Sequence, residues 1–280
     1  MPDEELRPAW SQQFAKDSIQ ELLAEGPLAK VNPEWAWGGS TGKGIRVAVV
    51  DSGIEHDHPA LGNCVRGGVV IEYDAKAENS HRVKIEDKPN DMSGHGTACA
   101  GIIHSIAPDA EIYSVRVLGR NMGGRAIQFA AGLDWTIENN IQVVNLSLST
   151  SLEEYFGLFH DLADQAYFKN MNLVSAVNNI PEPSYPSLYS SVISVAAHEG
   201  KDPLTYYYNP SPPVEFGAPG IDVEVVWNKK QYMTCTGNSF AAPHIAVIVT
   251  LIRAKHPDLT PFQMKSVLHA CASNPRRQKK

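Results

Sequence analysis

Cysteine is scarce in this 280-residue chain. The four present, Cys64, Cys99, Cys235 and Cys271, form no C-x-x-C pair and have no histidine at metal-ligand spacing. That excludes a disulfide-built fold and a sequence-local zinc site, and unpaired thiols point to a reducing compartment. Long apolar runs are also missing. The longest, Phe240 to Ile252, is broken by Pro243, His244 and Thr250, and it falls short of the roughly 18 uncharged residues of a membrane helix. No apolar stretch follows the acidic start Met1-Pro2-Asp3-Glu4-Glu5-Leu6-Arg7, so no secretory signal and a cytoplasmic location are expected. An excess of positive charge is absent too: 24 basic against 31 acidic residues give a net charge of −7. A nucleic-acid surface or a membrane partner is therefore not expected. The one basic run, Arg276-Arg277-Gln278-Lys279-Lys280, reads as a solvated tail or the start of a linker.

What is present is globular in kind, with 43% hydrophobic and 20% charged residues, near the usual average of about 45–50% apolar. Residues 1–30 read as a polar helical extension, from about Ser11 to Ala24 and ending at Gly26-Pro27. Residues 31–272 read as one domain, and 273–280 as the basic tail. Short β-branched apolar runs recur at Ile45–Val50, Gly68–Tyr73, Glu111–Val117, Val143–Leu148, Leu173–Val177 and Val192–Ala197. Such runs suit strands buried on both faces of a parallel sheet. Helical patterns lie between and after them: Gly96–His104, Arg125–Asn140, Leu152–Lys169, Phe240–Lys255 and Pro261–Ala272. The alternation predicts right-handed β-α-β crossovers and an α/β layered domain. Val223–Trp227 and Gln231–Cys235, joined by Asn228-Lys229-Lys230, predict a hairpin beside the sheet.

Three segments carry chemistry. Asp51 closes the apolar run Val47–Val50 and precedes Ser52-Gly53; an Asp there is a metal ligand, a ribose contact, a helix cap or a catalytic carboxylate. His95 is flanked by Gly94 and Gly96 at the start of a small-residue helix, where it is either a surface histidine in a glycine loop or a base. Ser239 follows the Gly237 turn in the first turn of an apolar helix, as a plain helix cap or as a nucleophile. Together they are the parts of a nucleophilic triad: a hydroxyl, a base for its proton, and a carboxylate that fixes the base's tautomer.

The same segments resemble the signatures of the subtilases, the subtilisin-like serine endopeptidases. D-S-G-I-x-x-x-H-P-x-L runs from Asp51 to Leu61, H-G-T-x-x-A-G from His95 to Gly101, and G-x-S-x-A-x-P-H from Gly237 to His244. The resemblance covers roughly Val31 to Ala272. It implies a subtilisin-like three-layer sandwich with a mostly parallel central sheet flanked by helices. It makes Ser239 the nucleophile, His95 the general base and then acid, and Asp51 the orienting carboxylate. It places an oxyanion donor at Asn178, in the run Ser175-Ala176-Val177-Asn178-Asn179, with Asn179 as the alternative one residue on. Substrate backbone would pair with the segment around Met122-Gly123-Gly124 and with Ser147-Leu148-Ser149. The latter, with Ala176 and Val177, would wall the pocket for the residue before the cut.

Departures from the family pattern matter. Ser149 and Val177 stand where the family usually has Gly, which implies a pocket narrowed to small residues. Asn238 replaces the usual Thr before the nucleophile. The short links Gly101–Pro108 and Asn178–Tyr185 lack the room of the family's calcium-binding loops, so no metal and no cofactor are expected. Cys99 matches a thiol-bearing subgroup. In compactness the chain is similar to subtilases that trim precursor peptides, the cyanobactin maturation type among them. The expected function is a precursor-processing serine endopeptidase acting on a peptide or protein. A peptide macrocyclase and a non-catalytic binding module are the alternatives. An α/β hydrolase is disfavoured, because Gly237-Asn238-Ser239-Phe240-Ala241 is not a G-x-S-x-G elbow.

Overall fold

The computed structural model describes residues 31–274. The expected N-terminal helix and most of the basic tail lie outside them. The described chain runs α1 (Pro33–Trp37), β1 (Arg46–Asp51), β2 (Val65–Tyr73), β3 (His81–Glu86), α2 (His95–Ile106), β4 (Glu111–Arg116), α3 (Ala126–Glu138), β5 (Val143–Leu146) and α4 (Phe156–Phe168). It continues through β6 (Asn172–Ala176), β7 (Ile193–His198), β8 (Tyr207–Tyr208), β9 (Phe216–Pro219), β10 (Val223–Trp227), β11 (Gln231–Cys235), α5 (Asn238–Lys255) and α6 (Pro261–Cys271).

Nine strands form one sheet in the order β3-β2-β4-β1-β5-β6-β7-β9-β8, and β10 and β11 pair separately as the expected hairpin. Only the outermost pairs, β2–β3 and β8–β9, are antiparallel. The strand order reverses at β1, which lies between β4 and β5. In an open α/β sheet that reversal opens a crevice beyond the carboxyl ends of the strands, and Asp51 ends β1 there.

Alternate side chains of a strand face opposite sides of the sheet. Val47 and Val49 join one core with Cys99, Ile103 and the α5 residues Ile245–Val249. Ala48 and Val50 join the other with Phe129 and Leu133 of α3 and Phe159 and Ala163 of α4. The layers are therefore helix, sheet and helix. Helix α5 is buried without a break from Phe240 to Arg253, which fits its apolar composition all round the axis. Among the described residues no helix is long and apolar enough to cross a membrane.

Helix α6 is pinned to the sheet by charge. The Lys265 ammonium donates to the carbonyls of Ser190 and Val192, at 2.6 and 2.8 Å, and to the Glu215 carboxylate at 2.8 Å. Three oxygens from the β6–β7 and β8–β9 connections thus converge on one tethered cation.

Candidate active site

Asp51 is fully buried. His95 approaches it across the crevice, its Nδ1 lying 3.0 and 2.8 Å from the two carboxylate oxygens. A carboxylate only accepts, so Nδ1 carries a proton, and in the neutral imidazole Nε2 is the nitrogen with the free lone pair. The approach requires a glycine after the histidine. A Cβ on Gly96 would stand 2.1 Å from the Gly53 carbonyl oxygen and 3.1 Å from Asp51 Cβ.

The loop presenting His95 is organised by Asp91, a residue to which the sequence assigned no role. Asp91 Oδ1 accepts from the Ser52 hydroxyl and from the backbone N–H groups of Ser93 and Gly94. Its Oδ2 accepts from the N–H and the hydroxyl of Thr97. The Ser52 hydroxyl in turn accepts from Gly96 N–H. Asp91 and Ser52 therefore satisfy the first N–H groups of α2, which have no partner within the helix, and lock the loop to the end of β1. Sequence spacing carried no signal for this role, which lies wholly in these hydrogen bonds. On the far side Trp227 of β10 covers Gly94, where a Cβ would meet the indole at 2.3 Å. Phe240 lies against the imidazole, with ring centroids 5.2 Å apart.

Ser239 is the second residue of α5, and its backbone is fixed by a proline four residues on. Pro243 has no N–H to give the Ser239 carbonyl, which is thereby released from the helix ladder. Ser147 Oγ donates to that carbonyl at 2.8 Å, and Cys99 Sγ lies 3.6 Å from it. Cys99 also donates to Ser147 Oγ at 3.4 Å, and Asn145 Nδ2 donates to the same hydroxyl at 2.9 Å. The Ser147 hydroxyl, expected on the substrate side, is thus turned toward the Ser239 backbone. Among the described residues the Ser239 hydroxyl has no hydrogen-bond partner; such bonds are commonly long before substrate binds.

Both asparagines reach the site. Asn178 Oδ1 accepts from Ile180 N–H at 3.2 Å, and Asn179 Oδ1 accepts from Asn238 N–H at 2.9 Å. Each amide is held by its oxygen, leaving its NH₂ group to donate. Asn178, Asn179 and Ser239 line one cavity of about 310 Å³ with Met122, Gly124, Ser147, Leu148, Ser149, Ala176 and Val177. Gly123 alone of the expected substrate-side residues is not in its wall; its carbonyl accepts from Gly119 N–H at 2.8 Å. The cavity also reaches Phe129, Leu118 and Val117, and Arg125 is the one charged residue in its lining.

Burial works to depress the basicity of His95, and the Asp51 carboxylate together with Cys99 more than reverses this, leaving its pKa well above the ordinary histidine value. Burial pushes the Cys99 thiol up, so it stays protonated and serves as a donor rather than as a nucleophile. Asp51, His95 and Cys99 are the one group among the described residues whose potential ligand atoms lie within 4.8 Å of one another. The His95 nitrogen nearest Asp51 is already committed to it, and no acidic cluster suited to a hard cation accompanies the group.

The subtilase family profile matches residues 42–279. The chain is 34% identical over 252 residues to the minor extracellular protease Epr of Bacillus subtilis, covering 85% of this chain and 36% of that one. To the thermostable alkaline protease of Halalkalibacterium halodurans it is 32% identical, covering 84% and 64%. To subtilisin Savinase of Lederbergia lenta it is 30% identical, covering 84% and 86%. The chain thus spans between about a third and just under two thirds of the first two relatives' length. A cold-adapted subtilisin-like serine proteinase superposes with a TM-score of 0.66 at 23% identity, over 85% of this chain and 87% of that one, which establishes likeness of fold. With the family profile running from before β1 to beyond α6, this chain belongs to the subtilase family.

Proposed function

We propose that the chain is a serine endopeptidase that cuts peptide bonds through an acyl-enzyme on Ser239. The observation that carries this reading is the buried Asp51 carboxylate held on His95 Nδ1, with Ser239 and two asparagines around one cavity. In the reaction the Ser239 hydroxyl attacks the scissile carbonyl and gives its proton to His95 Nε2. Asp51 stabilises the imidazolium that forms. The oxyanion accepts from the Asn178 amide and from Ser239 N–H. His95 then protonates the leaving amine, the C–N bond breaks, and water repeats the sequence to release the acid.

Within that activity the reading favours a dedicated processing protease with a preference for small residues before the cut. Its support is the pair Ser149 and Val177 in the cavity wall, where added side chains take up room. Four unpaired cysteines, Cys64, Cys99, Cys235 and Cys271, support a reducing, cytoplasmic setting.

The test is intact-mass spectrometry after a fluorophosphonate, beside Ser239→Ala. One adduct, lost in the variant, is the expected result. Turnover of a peptide substrate should fall about 10⁴–10⁶-fold in the variant, the scale known for loss of a triad residue in subtilisin. A folded protein that takes no adduct would instead be a peptide-binding module.

A further inference from the structure

The residue before the nucleophile does something a helix-capping side chain does not. Asn238 opens α5, yet its amide caps nothing in that helix and reaches sideways into the central sheet. Strands β6 and β7 run parallel, with Val174 opposite Ile193, Ser175 opposite Ser194 and Ala176 opposite Val195. The ladder continues one step further, where Val177 N–H donates to the Val195 carbonyl at 3.0 Å. In a parallel ladder the next rung would join Ala197 N–H to the Val177 carbonyl. That rung is not made directly. Ala197 N–H donates to Asn238 Oδ1 at 2.9 Å, and Asn238 Nδ2 donates to the Val177 carbonyl at 3.2 Å. The side-chain amide, itself a peptide group in miniature, is inserted between the two strands as they separate.

The same amide holds the following residue too. Asn238 Nδ2 lies 3.1 Å from the Asn178 carbonyl, and Asn238 N–H donates to Asn179 Oδ1 at 2.9 Å. Every polar atom of the side chain is therefore engaged, and all of its bonds go to the strand end that carries Val177, Asn178 and Asn179 or to the β7 position beside it. The segment so held forms one wall of the cavity that Ser239 also lines. Because Asn238 is covalently next to Ser239, the clasp sets the distance between the serine and that wall.

We propose that Asn238 is a positioning residue, which fixes the oxyanion donor Asn178 relative to Ser239 by completing the β6–β7 ladder with its side chain. This rests on the proteolytic reading above. It acts through Asn178 and touches no reacting atom. Its loss lowers kcat and leaves KM nearly unchanged, because the oxyanion exists in the transition state and not in the bound substrate.

Asn238→Asp is the sharpest variant. It keeps the shape and the acceptor for Ala197 N–H, but sets a carboxylate oxygen against two carbonyls. Asn238→Thr keeps one acceptor and one donor and restores part of the ladder.

The experiment is a double-mutant cycle with Asn178→Ala, reading kcat and KM on one peptide and the fluorophosphonate reaction rate, with melting temperatures alongside. The expected result is a fall in kcat of about 10–100-fold for Asn238→Asp, below the roughly 10²–10³-fold that outright loss of one oxyanion donor costs. Asn238→Thr should recover most of it. In the Asn178→Ala background Asn238→Asp should cost less than about 3-fold, since coupled residues are not additive.

Multiplicative losses in the cycle, or a rise in KM at unchanged kcat, would overturn the positioning role in a reactive parent. If Asn238→Asp melts below the assay temperature, Asn238→Ala, which deletes the side-chain amide, takes its place in the cycle: a loss additive with Asn178→Ala overturns the role, and a non-additive one supports it. A parent protein inert to both peptide and fluorophosphonate would overturn the proteolytic reading and this proposal with it.

Discussion

His95 sits between two opposed influences. Burial disfavours its charged form, and the Asp51 carboxylate with Cys99 beside it favours it strongly enough to hold the pKa well above 6.5. Sequence alone suggests that activity falls as an ordinary histidine protonates, below about pH 6.5; the Asp51 contact moves that limb upward. A general base must be neutral to accept a proton, so kcat/KM should rise with pH through a midpoint clearly above 6.5. Stability runs the other way. The contribution of the His95–Asp51 pair is fully present below the unfolded histidine's pKa and is lost as pH rises through the raised folded value. A pH–rate profile with its midpoint at or below 6.5 would contradict the pairing. At the oxyanion, Asn178→Ala should lower kcat roughly 10²–10³-fold with little change in KM, the scale known for a lost donor in subtilisin. Asn179→Ala should cost far less; the reverse ranking would move the donor by one residue. Asp51, His95 and Ser239 stood out as candidates because each stands in a glycine-punctuated segment with few other uses, and the structure brings the first two into contact. Asp91 did not, because its worth lies in five hydrogen bonds that spacing alone does not reveal.

At the scale of elements, legibility followed burial. The runs that became β1, β2, β4, β5, β6 and β7 are apolar because helices cover both faces of the sheet. The hairpin β10–β11 fell where expected, since Asn228-Lys229-Lys230 interrupts two β-rich runs. The elements that escaped are marginal ones. Strand β3, His-Arg-Val-Lys-Ile-Glu, is an edge whose burial is slight throughout, so charge masks its alternation. Strand β9 contains Gly217 and Pro219, which read as a turn, and α1 is five residues long. The end of β6 is where an element meets specificity. Val177 keeps its backbone bonds to Val195 and Asn238 whatever its side chain, so Val177→Gly should enlarge the cavity without moving its frame. The ratio of kcat/KM for a large against a small residue before the cut should rise by about 10-fold or more, the range for filling or freeing an apolar pocket. Unchanged selectivity in a peptide library would sink the argument from pocket width.

For the molecule as a whole, the supply of ligands sets what a chelator should do. The described residues offer no carboxylate cluster to a hard cation, and the oxygens of Ser190, Val192 and Glu215 are served by the Lys265 ammonium. A chelator should therefore leave the melting temperature within about 1 °C of its starting value, whereas loss of a stabilising ion would shift it by several degrees. A large drop in a calorimetric scan would reveal a site outside the groups described.

The strand order at the crevice also has a consequence in time. His95 and Asp51 are 44 residues apart in sequence, and Cys99 meets the Ser239 carbonyl across 140. Contacts so distant, in a largely parallel sheet, close late in folding. During refolding, far-UV circular dichroism should recover before fluorophosphonate reactivity does, and simultaneous recovery would show that the site assembles with the first strands. On the proposed proteolytic reading, a nascent chain is then folded in most of its length before it can cut anything, its neighbours in synthesis included.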